Sequence, residues 1–261
     1  MNTVVCLKQV VDPELPAWDF AIDPATKRQV RTGKPLVIST YDENALELAL
    51  QLKEKVGGKV TALTLGPAGE VKDAVRLALA MGADEAVVID DAEAPLRLGP
   101  DKAAVLAAAI RRLGAADLVL TGCESADWVE RSVAPLLAEM LGAACVTFIT
   151  ALETGAGTVT VRRTAEEGVH VVQARLPAVL SVTSDEAIRP RLPKVKDIMG
   201  AMRKPVQQWT PADVGAEAVL PPVEVREVSV PQRTTRCEFL EGDPAQQAQA
   251  LVERLQALKL I

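Results

Sequence analysis

The chain of 261 residues is long enough for one large domain with an additional arm, and its 49% hydrophobic and 25% charged residues are ordinary for a globular protein. The formal net charge of −6 argues against nucleic acid as a partner, because no basic surplus is present to neutralise phosphates. A single histidine, His170, excludes a histidine-rich metal site, and 3% aromatic residues leave few rings for stacking a flavin or bases.

No apolar run reaches the length needed to span a membrane, and the N-terminus begins directly as a strand pattern without the features of a secretion signal. The four cysteines are scattered and form no CxxC pair, so they are expected to be buried small side chains. This use of cysteine fits a reducing compartment. The sequence therefore predicts a cytoplasmic protein without membrane insertion.

The first half of the chain alternates strand and helix patterns. In order, these predict a strand at 3–10, a hairpin at 20–31, a helix at 42–55, a strand at 59–66, a helix at 69–83, a strand at 85–90, a helix at 100–114 and a strand at 117–122. Asp42 is a plausible N-cap and Gly82 a C-terminal stop. Near-continuous Val/Leu strands separated by helices indicate an α/β fold, an open and mostly parallel Rossmann-like sheet with helices on both faces.

The character of the sequence changes after residue 144. Residues 145–185 are β-rich with turn signals at 153–157 and 166–168, which predicts antiparallel strands that extend the sheet. From residue 188 the chain is rich in Pro, Lys and Arg and has little periodicity until a helix pattern at 245–260. We therefore predict an α/β domain over 1–187 and, over 188–261, a docking loop and a long C-terminal arm that wraps a partner.

Motifs of catalysis and phosphate cradling are missing from the sequence. It contains no GxxxxGK[ST], HExxH, GxSxG or SxxK, and no GxGxxG follows the first strand. The chain is therefore expected to bind or position a ligand without catalytic side chains of its own. In an open parallel sheet the ligand lies beyond the carboxyl ends of the strands. Here those ends fall at 6–8, 39–42, 65–66 and 122–127, and together they predict one crevice that a mononucleotide could fill mostly through backbone contacts.

Individual polar residues near this crevice have ordinary structural interpretations as well. Lys8 is expected to be solvated or ion-paired, and His170 to be a satisfied surface or core residue. Asp127, Glu130 and Arg131 could simply cap and solvate the helix that follows them. The loop between the strand at 117–122 and that helix is an unusual phosphate cradle, because it carries Trp128, Val129 and Glu130.

Several longer segments carry a resemblance to a known family. They are VCLKQVVDPE (5–14), YDENALELALQLKEK (41–55), VTALTLGPAGEVKDAVRLALAMGAD (60–84), VRRTAEEGVHVVQARLPAVLS (161–181), RPRLPKVKDIMGAMRKP (189–205) and VPQRT (230–234). In one register over nearly the whole chain, these resemble the β subunit of electron transfer flavoproteins, the FixA-like family.

The resemblance implies a subunit of an electron carrier. It implies a heterodimer with an electron transfer flavoprotein α subunit and an FAD held mainly by α, with Tyr41 and Pro13 the residues of this chain nearest the flavin. It implies electron transfer from flavin dehydrogenases of the acyl-CoA dehydrogenase type to a quinone reductase, an electron transfer flavoprotein–quinone oxidoreductase-type acceptor. In most members a structural AMP lies in β, and in electron-bifurcating members a second FAD takes its place.

The resemblance also assigns the AMP contacts of this chain. They carry over to Cys6, Ser39, Thr40, Tyr41, Asp42, Leu65, Gly122, Cys123, Glu124, Ser125, Ala126, Asp127, Trp128, Val129, Glu130, Arg131, Ser132 and Val133. The loop departs from the family pattern, since only Gly122 and Asp127 are retained and Ser39-Thr40 replaces Asn-Pro. Two interpretations stay open: an AMP-like ligand with Arg131 on the phosphate, or a remodelled crevice with Trp128 filling it. A second FAD is disfavoured by the stretch RLGPDKAA (97–104).

The family's docking loop for dehydrogenases maps to 190–199. Its apolar anchor, usually Leu, is Val195, and with Ile198 and Met199 it is expected to form a knob rimmed by Lys194, Lys196 and Arg203. The alternative is an ordinary surface helix turn.

Three functions remain open from the sequence. The first is the electron-transfer β subunit. The second is a structural or interaction subunit with a degenerate nucleotide site that serves a specialised dehydrogenase. The third is a stand-alone adenine-nucleotide-binding protein, against which the apolar residues of 188–261 argue, because a monomer would leave them in water.

Overall fold

A computed structural model describes residues 1–216, 225–230 and 237–261, so most of the VPQRT segment lies outside the described residues. The chain forms two compact units, Met1–Val228 and Ser229–Ile261. The sequence placed its division at 187/188. In the structure the described residues between 188 and 228 belong to the large unit.

The large unit is built on thirteen strands and five helices of its described residues. The strands are β1 (Asn2–Leu7), β2 (Gln9–Val11), β3 (Ile22–Asp23), β4 (Arg28–Gln29), β5 (Leu36–Ile38), β6 (Lys59–Gly66), β7 (Glu85–Asp90), β8 (Leu118–Gly122), β9 (Ala144–Gly155), β10 (Thr158–Ala165), β11 (Gly168–Arg175), β12 (Ala178–Val182) and β13 (Val206–Trp209). The helices are α1 (Thr40–Val56), α2 (Lys72–Met81), α3 (Gly99–Leu113), α4 (Val133–Leu141) and α5 (Val195–Ala201).

Nine of these strands form one sheet in the order β11-β10-β9-β12-β8-β1-β6-β7-β13. All pairings from β9 to β13 across the sheet are parallel, whereas β10 pairs antiparallel with both β9 and β11. The chain leaves β1 toward β6 on one side and later returns to β8 on the other, so the strand order reverses at β1. The predicted mostly parallel α/β sheet is confirmed.

Helices cover both faces of the sheet, as the near-continuous apolar strands predict. Val5 and Leu120 pack in one buried cluster with α1 and α2, where Leu46 and Leu79 are almost fully buried. Their neighbours Val4 and Val119 point the other way and pack against α3 and α4 in a second cluster, which includes Leu137. Successive strand residues thus supply two cores, because side chains alternate between the faces of a strand.

Two strand predictions were wrong in detail. The predicted strand at 3–10 is two strands, because the chain turns at Lys8 and β2 then pairs with β5 in a separate antiparallel ribbon. Residues 178–182 were expected to be antiparallel, but β12 runs parallel between β8 and β9. The turn signals at 153–157 and 166–168 do join antiparallel strands, β9 to β10 and β10 to β11.

The segment after residue 188 contains a helix and a strand that its sequence pattern does not predict. α5 packs near α2, and β13 adds a parallel edge strand next to β7 with Val206 opposite Ala86. In the small unit, α6 (Pro244–Ala257) begins with Asp243, whose carboxylate accepts from the N–H groups of Ala245 and Gln246. No residue of α6 is buried.

Candidate functional site

The carboxyl ends of β1, β6 and β8 open into a cavity of about 360 Å³. This is the edge where the strand order reverses, the usual place for a ligand in an open α/β sheet. The β3–β4 hairpin and the start of α3 close the other sides of the cavity. The crevice expected from the four strand-end segments is therefore present in the fold.

Asp42 ties the two central strands together at the floor of this crevice. Its Oδ1 accepts from the N–H of Gly122 at 2.8 Å and its Oδ2 from the N–H of Lys8 at 2.9 Å. Burial raises the pKa of Asp42 to about 7, against the opposing effect of these two N–H groups. The prediction that Asp42 is the N-cap of α1 was wrong, because the helix already begins at Thr40 after Ser39.

Gly122 is required by this arrangement. A Cβ on Gly122 would lie 2.6 Å from Asp42 Oδ1 and 2.8 Å from the Cβ of Tyr41. Ser39 supports the same corner, since its buried hydroxyl accepts from the N–H of Ala126 at 3.1 Å. The end of β8 and the beginning of α1 are therefore in direct contact.

The loop after β8 brings three carboxylates to the crevice, and each pairs with a cation. Asp127 lies 2.6 Å from Lys8 Nζ, and Glu124 lies 2.5 Å from Arg131 Nε. Glu130 approaches Lys102 Nζ at 3.6 Å. Burial and the nearby Lys8 lower the pKa of Lys102, while Glu130 acts in the opposite direction.

Glu130 also joins the beginnings of two helices. Its Oε1 accepts from the N–H of Gly99, the first residue of α3, at 2.5 Å and from the hydroxyl of Ser132, just before α4, at 3.1 Å. A Cβ on Gly99 would lie 2.0 Å from Ser132 Oγ and 2.4 Å from Glu130 Oε1. Any side chain at 99 would require the Glu130 carboxylate and the Ser132 hydroxyl to move.

Trp128 forms a wall of the cavity without closing it. It is 38% exposed, and Lys102 Nζ lies 5.9 Å from the centre of its ring. The next residue, Val129, has φ of +53°, a left-handed conformation that is costly for a β-branched side chain. The strained turn positions the indole beside Lys102, and the cavity remains open next to it.

The predicted contact residues divide into two groups. Those that line the cavity are Cys6, Asp42, Leu65, Gly122, Cys123, Glu124, Ser125, Asp127, Trp128, Glu130 and Val133. Those outside the lining are Ser39, Thr40, Tyr41, Ala126, Val129, Arg131 and Ser132. Arg131 is largely exposed and held by Glu124, so the arginine predicted to reach a phosphate lies outside the cavity in this structure.

Sequence reasoning missed several lining residues. Lys102 comes from α3, Gln9 from β2, and Arg28 and Arg31 from the β3–β4 region. The hairpin was predicted, but nothing in its pattern indicates that it folds over the strand ends. The GPDK stretch at 99–102 could have indicated Lys102 as a lining residue, because a glycine there marks a close approach at the start of a helix.

The predicted docking residues form an exposed apolar surface on α5. Val195, Ile198 and Met199 are 75%, 52% and 67% exposed. Leu192 and Met202, which were not predicted to belong to this surface, are 91% and 86% exposed.

Arg191 anchors this docking segment to α1. Its Nε and Nη2 both donate to the carboxylate of Glu47 at 2.9 Å, its backbone N–H donates to Glu47 at 3.1 Å, and its Nη1 donates to Glu54. Burial acts to raise the pKa of Glu47, but the Arg191 hydrogen bonds outweigh it and hold that pKa below its usual value. These contacts hold the N-terminal end of the exposed segment against α1.

Other classes of site have little support among the described residues. Within them, no group of three or more His, Cys, Asp and Glu residues is arranged to hold a metal ion. His170 lies on the edge strand β11, 3.1 Å from Glu167. The helices in the described part of the chain are all too short or too polar to cross a membrane.

Comparison with known proteins gives a consistent set of relatives. Residues 28–214 match the electron transfer flavoprotein domain family. The electron transfer flavoprotein subunit beta of Clostridium acetobutylicum is 38% identical over 220 residues, which cover 83% of this chain and 81% of that protein. The subunit of the same name from Thermoanaerobacterium thermosaccharolyticum is 33% identical over 269 residues, 100% of both chains. Protein FixA of Bradyrhizobium diazoefficiens is 32% identical over 272 residues, 98% of this chain and 91% of that protein.

Proposed function

Because this chain belongs to the electron transfer flavoprotein family, we propose that it is the β subunit of a heterodimer that carries electrons between other flavoproteins. Its partner is an electron transfer flavoprotein α subunit. The donors are flavin dehydrogenases of the acyl-CoA dehydrogenase type, and the acceptor is a quinone oxidoreductase. The alignment with β subunits along the whole chain supports this assignment.

The observation that carries the proposal is the apolar surface that the chain leaves uncovered. α5 exposes Val195, Ile198 and Met199, and α6 buries none of its residues although it contains Leu251 and Val252. Exposed apolar surface of this kind marks an interface with another protein. We assign α5 to dehydrogenase docking and the C-terminal arm to the α subunit.

In this proposal the flavin lies between the two subunits. When bound, FAD supplies the electron-accepting ring, and α holds most of it. Pro13 is exposed and Tyr41 partly exposed, so both are accessible to a second chain. Their role is to pack against the cofactor and exclude water from it.

The test is to purify the chain alone and together with its α subunit, and to count FAD in each. We expect the chain alone to be flavin-free and prone to aggregation, and the heterodimer to hold one FAD that an acyl-CoA dehydrogenase reduces. A stable chain that carries an adenine nucleotide without α would instead support the stand-alone binding protein.

A second candidate is the structural subunit with a degenerate nucleotide site. The pairing of Glu124, Asp127 and Glu130 with nearby cations favours it, because these pairs occupy groups that a nucleotide phosphate would need. It predicts a heterodimer in which α and one specialised dehydrogenase assemble, while common acyl-CoA dehydrogenases transfer no electrons to it.

A further inference from the structure

We propose that the crevice at the strand ends selects an uncharged ligand of nucleoside size over the corresponding phosphate ester, because the loop at 122–133 supplies its own anions. This inference concerns the ligand of the β chain and rests on the proposed function only for the heterodimer in which it is tested.

The carboxylate of Glu130 lies where a phosphate would otherwise bind, at the start of α3. The N-terminus of a helix is a natural position for an anion, since its free N–H groups and dipole favour negative charge. Glu130 already takes that position for α3 through Gly99 and reaches the hydroxyl of Ser132 before α4. One internal carboxylate therefore serves the starts of both helices, and a phosphate there would meet a like charge.

The cations around the cavity already have partners within the protein. Lys8 is paired with Asp127, and Lys102 with Glu130. Arg28 and Arg31 both pair with Glu70, at 2.5 and 3.2 Å. Lys27 donates to the carbonyl of Val225 at 2.7 Å. A phosphate would therefore compete with the protein's own carboxylates for four of these cations, and with a backbone carbonyl for Lys27.

The cavity also offers a ligand apolar walls and a neutral amide. Its walls include Ile22, Leu65, Leu106 and Trp128, which suit a planar heterocycle. Gln9 lines the cavity, is 5% exposed, and has an Nε2 without a hydrogen-bond partner among the described residues. Its Oε1 accepts from the N–H of Ala74 at 2.8 Å, so the amide orientation is fixed. Gln9 therefore adds a neutral polar side chain to the lining of the cavity.

The test compares adenosine with AMP, which differ only in the phosphate group. The purified heterodimer is titrated with each by calorimetry, after its bound small molecules have been extracted and identified. We expect adenosine to bind about tenfold or more tightly than AMP, the ratio expected from one unfavourable charge contact. We also expect the extract to lack stoichiometric AMP.

Two variants test whether the loop carboxylates cause the preference for adenosine over AMP. Glu130→Gln keeps an acceptor for the Gly99 N–H but removes the charge, and it should tighten AMP binding about tenfold while leaving adenosine binding unchanged. Glu124→Gln, which frees Arg131, gives the same comparison if Glu130→Gln fails to fold. Glu139→Gln is the matched control, because Glu139 is an exposed carboxylate at the far end of α4.

The outcomes separate this inference from the proposed function. AMP bound as tightly as adenosine, one AMP per purified heterodimer, or no adenosine binding would each overturn the inference. None of these results affects the FAD count or the association with α, on which the proposed function depends. A heterodimer without FAD would count against the function and leave the ligand selectivity intact.

Discussion

Gly122 and Asp42 fix the point where the sheet reverses its strand order. The carboxylate of Asp42 accepts from the backbone at the ends of both β1 and β8, so three segments distant in sequence meet at one side chain. Gly122 permits the contact because it has no Cβ. The geometry of the candidate crevice depends on this pair of residues.

Gly122→Ala should destabilise the protein by about 2 kcal/mol, the usual cost of forcing an atom into a packed region. The added methyl group would lie within 3 Å of Asp42 and Tyr41, so either α1 or the end of β8 has to move. Chemical denaturation of the heterodimer measures the change. Gly69→Ala is the control, because nothing lies within 4 Å of the position its Cβ would take. Equal stability of the two variants would show that the corner is less tightly packed than the structure indicates.

At the scale of single elements, α5 is a short helix with most of its apolar residues in solvent. Seven residues are too few to form a stable helix alone, so its position depends on anchors at its ends. Arg191 is one such anchor, since two of its guanidinium nitrogens donate hydrogen bonds to the nearly buried Glu47. Lys204 is another, because its Nζ donates to the carbonyls of Leu79 and Ala83 at 2.7 Å.

Arg191→Lys should loosen the docking segment. Lysine cannot reproduce the bidentate contact, so we expect faster amide hydrogen exchange over residues 192–201 and a loss of stability of roughly 2 kcal/mol. Arg189→Lys is the matched control, because Arg189 is exposed and donates only to the carbonyl of Glu186. Unchanged exchange in Arg191→Lys would mean that Lys204 and the packing of α5 suffice to hold the segment.

At the scale of the whole molecule, the two units differ in how they are stabilised. The large unit contains both buried clusters, whereas α6 in the small unit has no buried residue. A helix of 14 residues with exposed leucines is marginal in water and gains stability by packing against another surface. We therefore propose that the small unit packs against the α subunit.

Removing residues 229–261 should leave the large unit folded and weaken its association with α. We expect the thermal unfolding midpoint of the isolated large unit to change by no more than about 3 °C, since α6 contains no buried residue. Co-purification with tagged α should fall sharply. Full recovery of the heterodimer without the small unit would move the interface to the large unit and contradict the assigned role of the arm.

The sequence by itself determined the family and the local elements. β6 and the end of α2 at Gly82 follow from short-range patterns, because apolar period and a left-handed glycine act within a few residues. The location of a crevice at the strand ends also follows from the sequence, since parallel strands place all their carboxyl ends at one edge.

Only the tertiary structure decided which strands and charges meet. β12 lies parallel between β8 and β9, and β13 joins the edge beside β7, because strand pairing is chosen by long-range contacts that leave no mark in a local pattern. Glu130 and Gly99 are likewise 31 residues apart in the chain and 2.5 Å apart in space. The sequence shows an acidic loop, but only the fold pairs its carboxylates with Lys8, Lys102 and the start of α3.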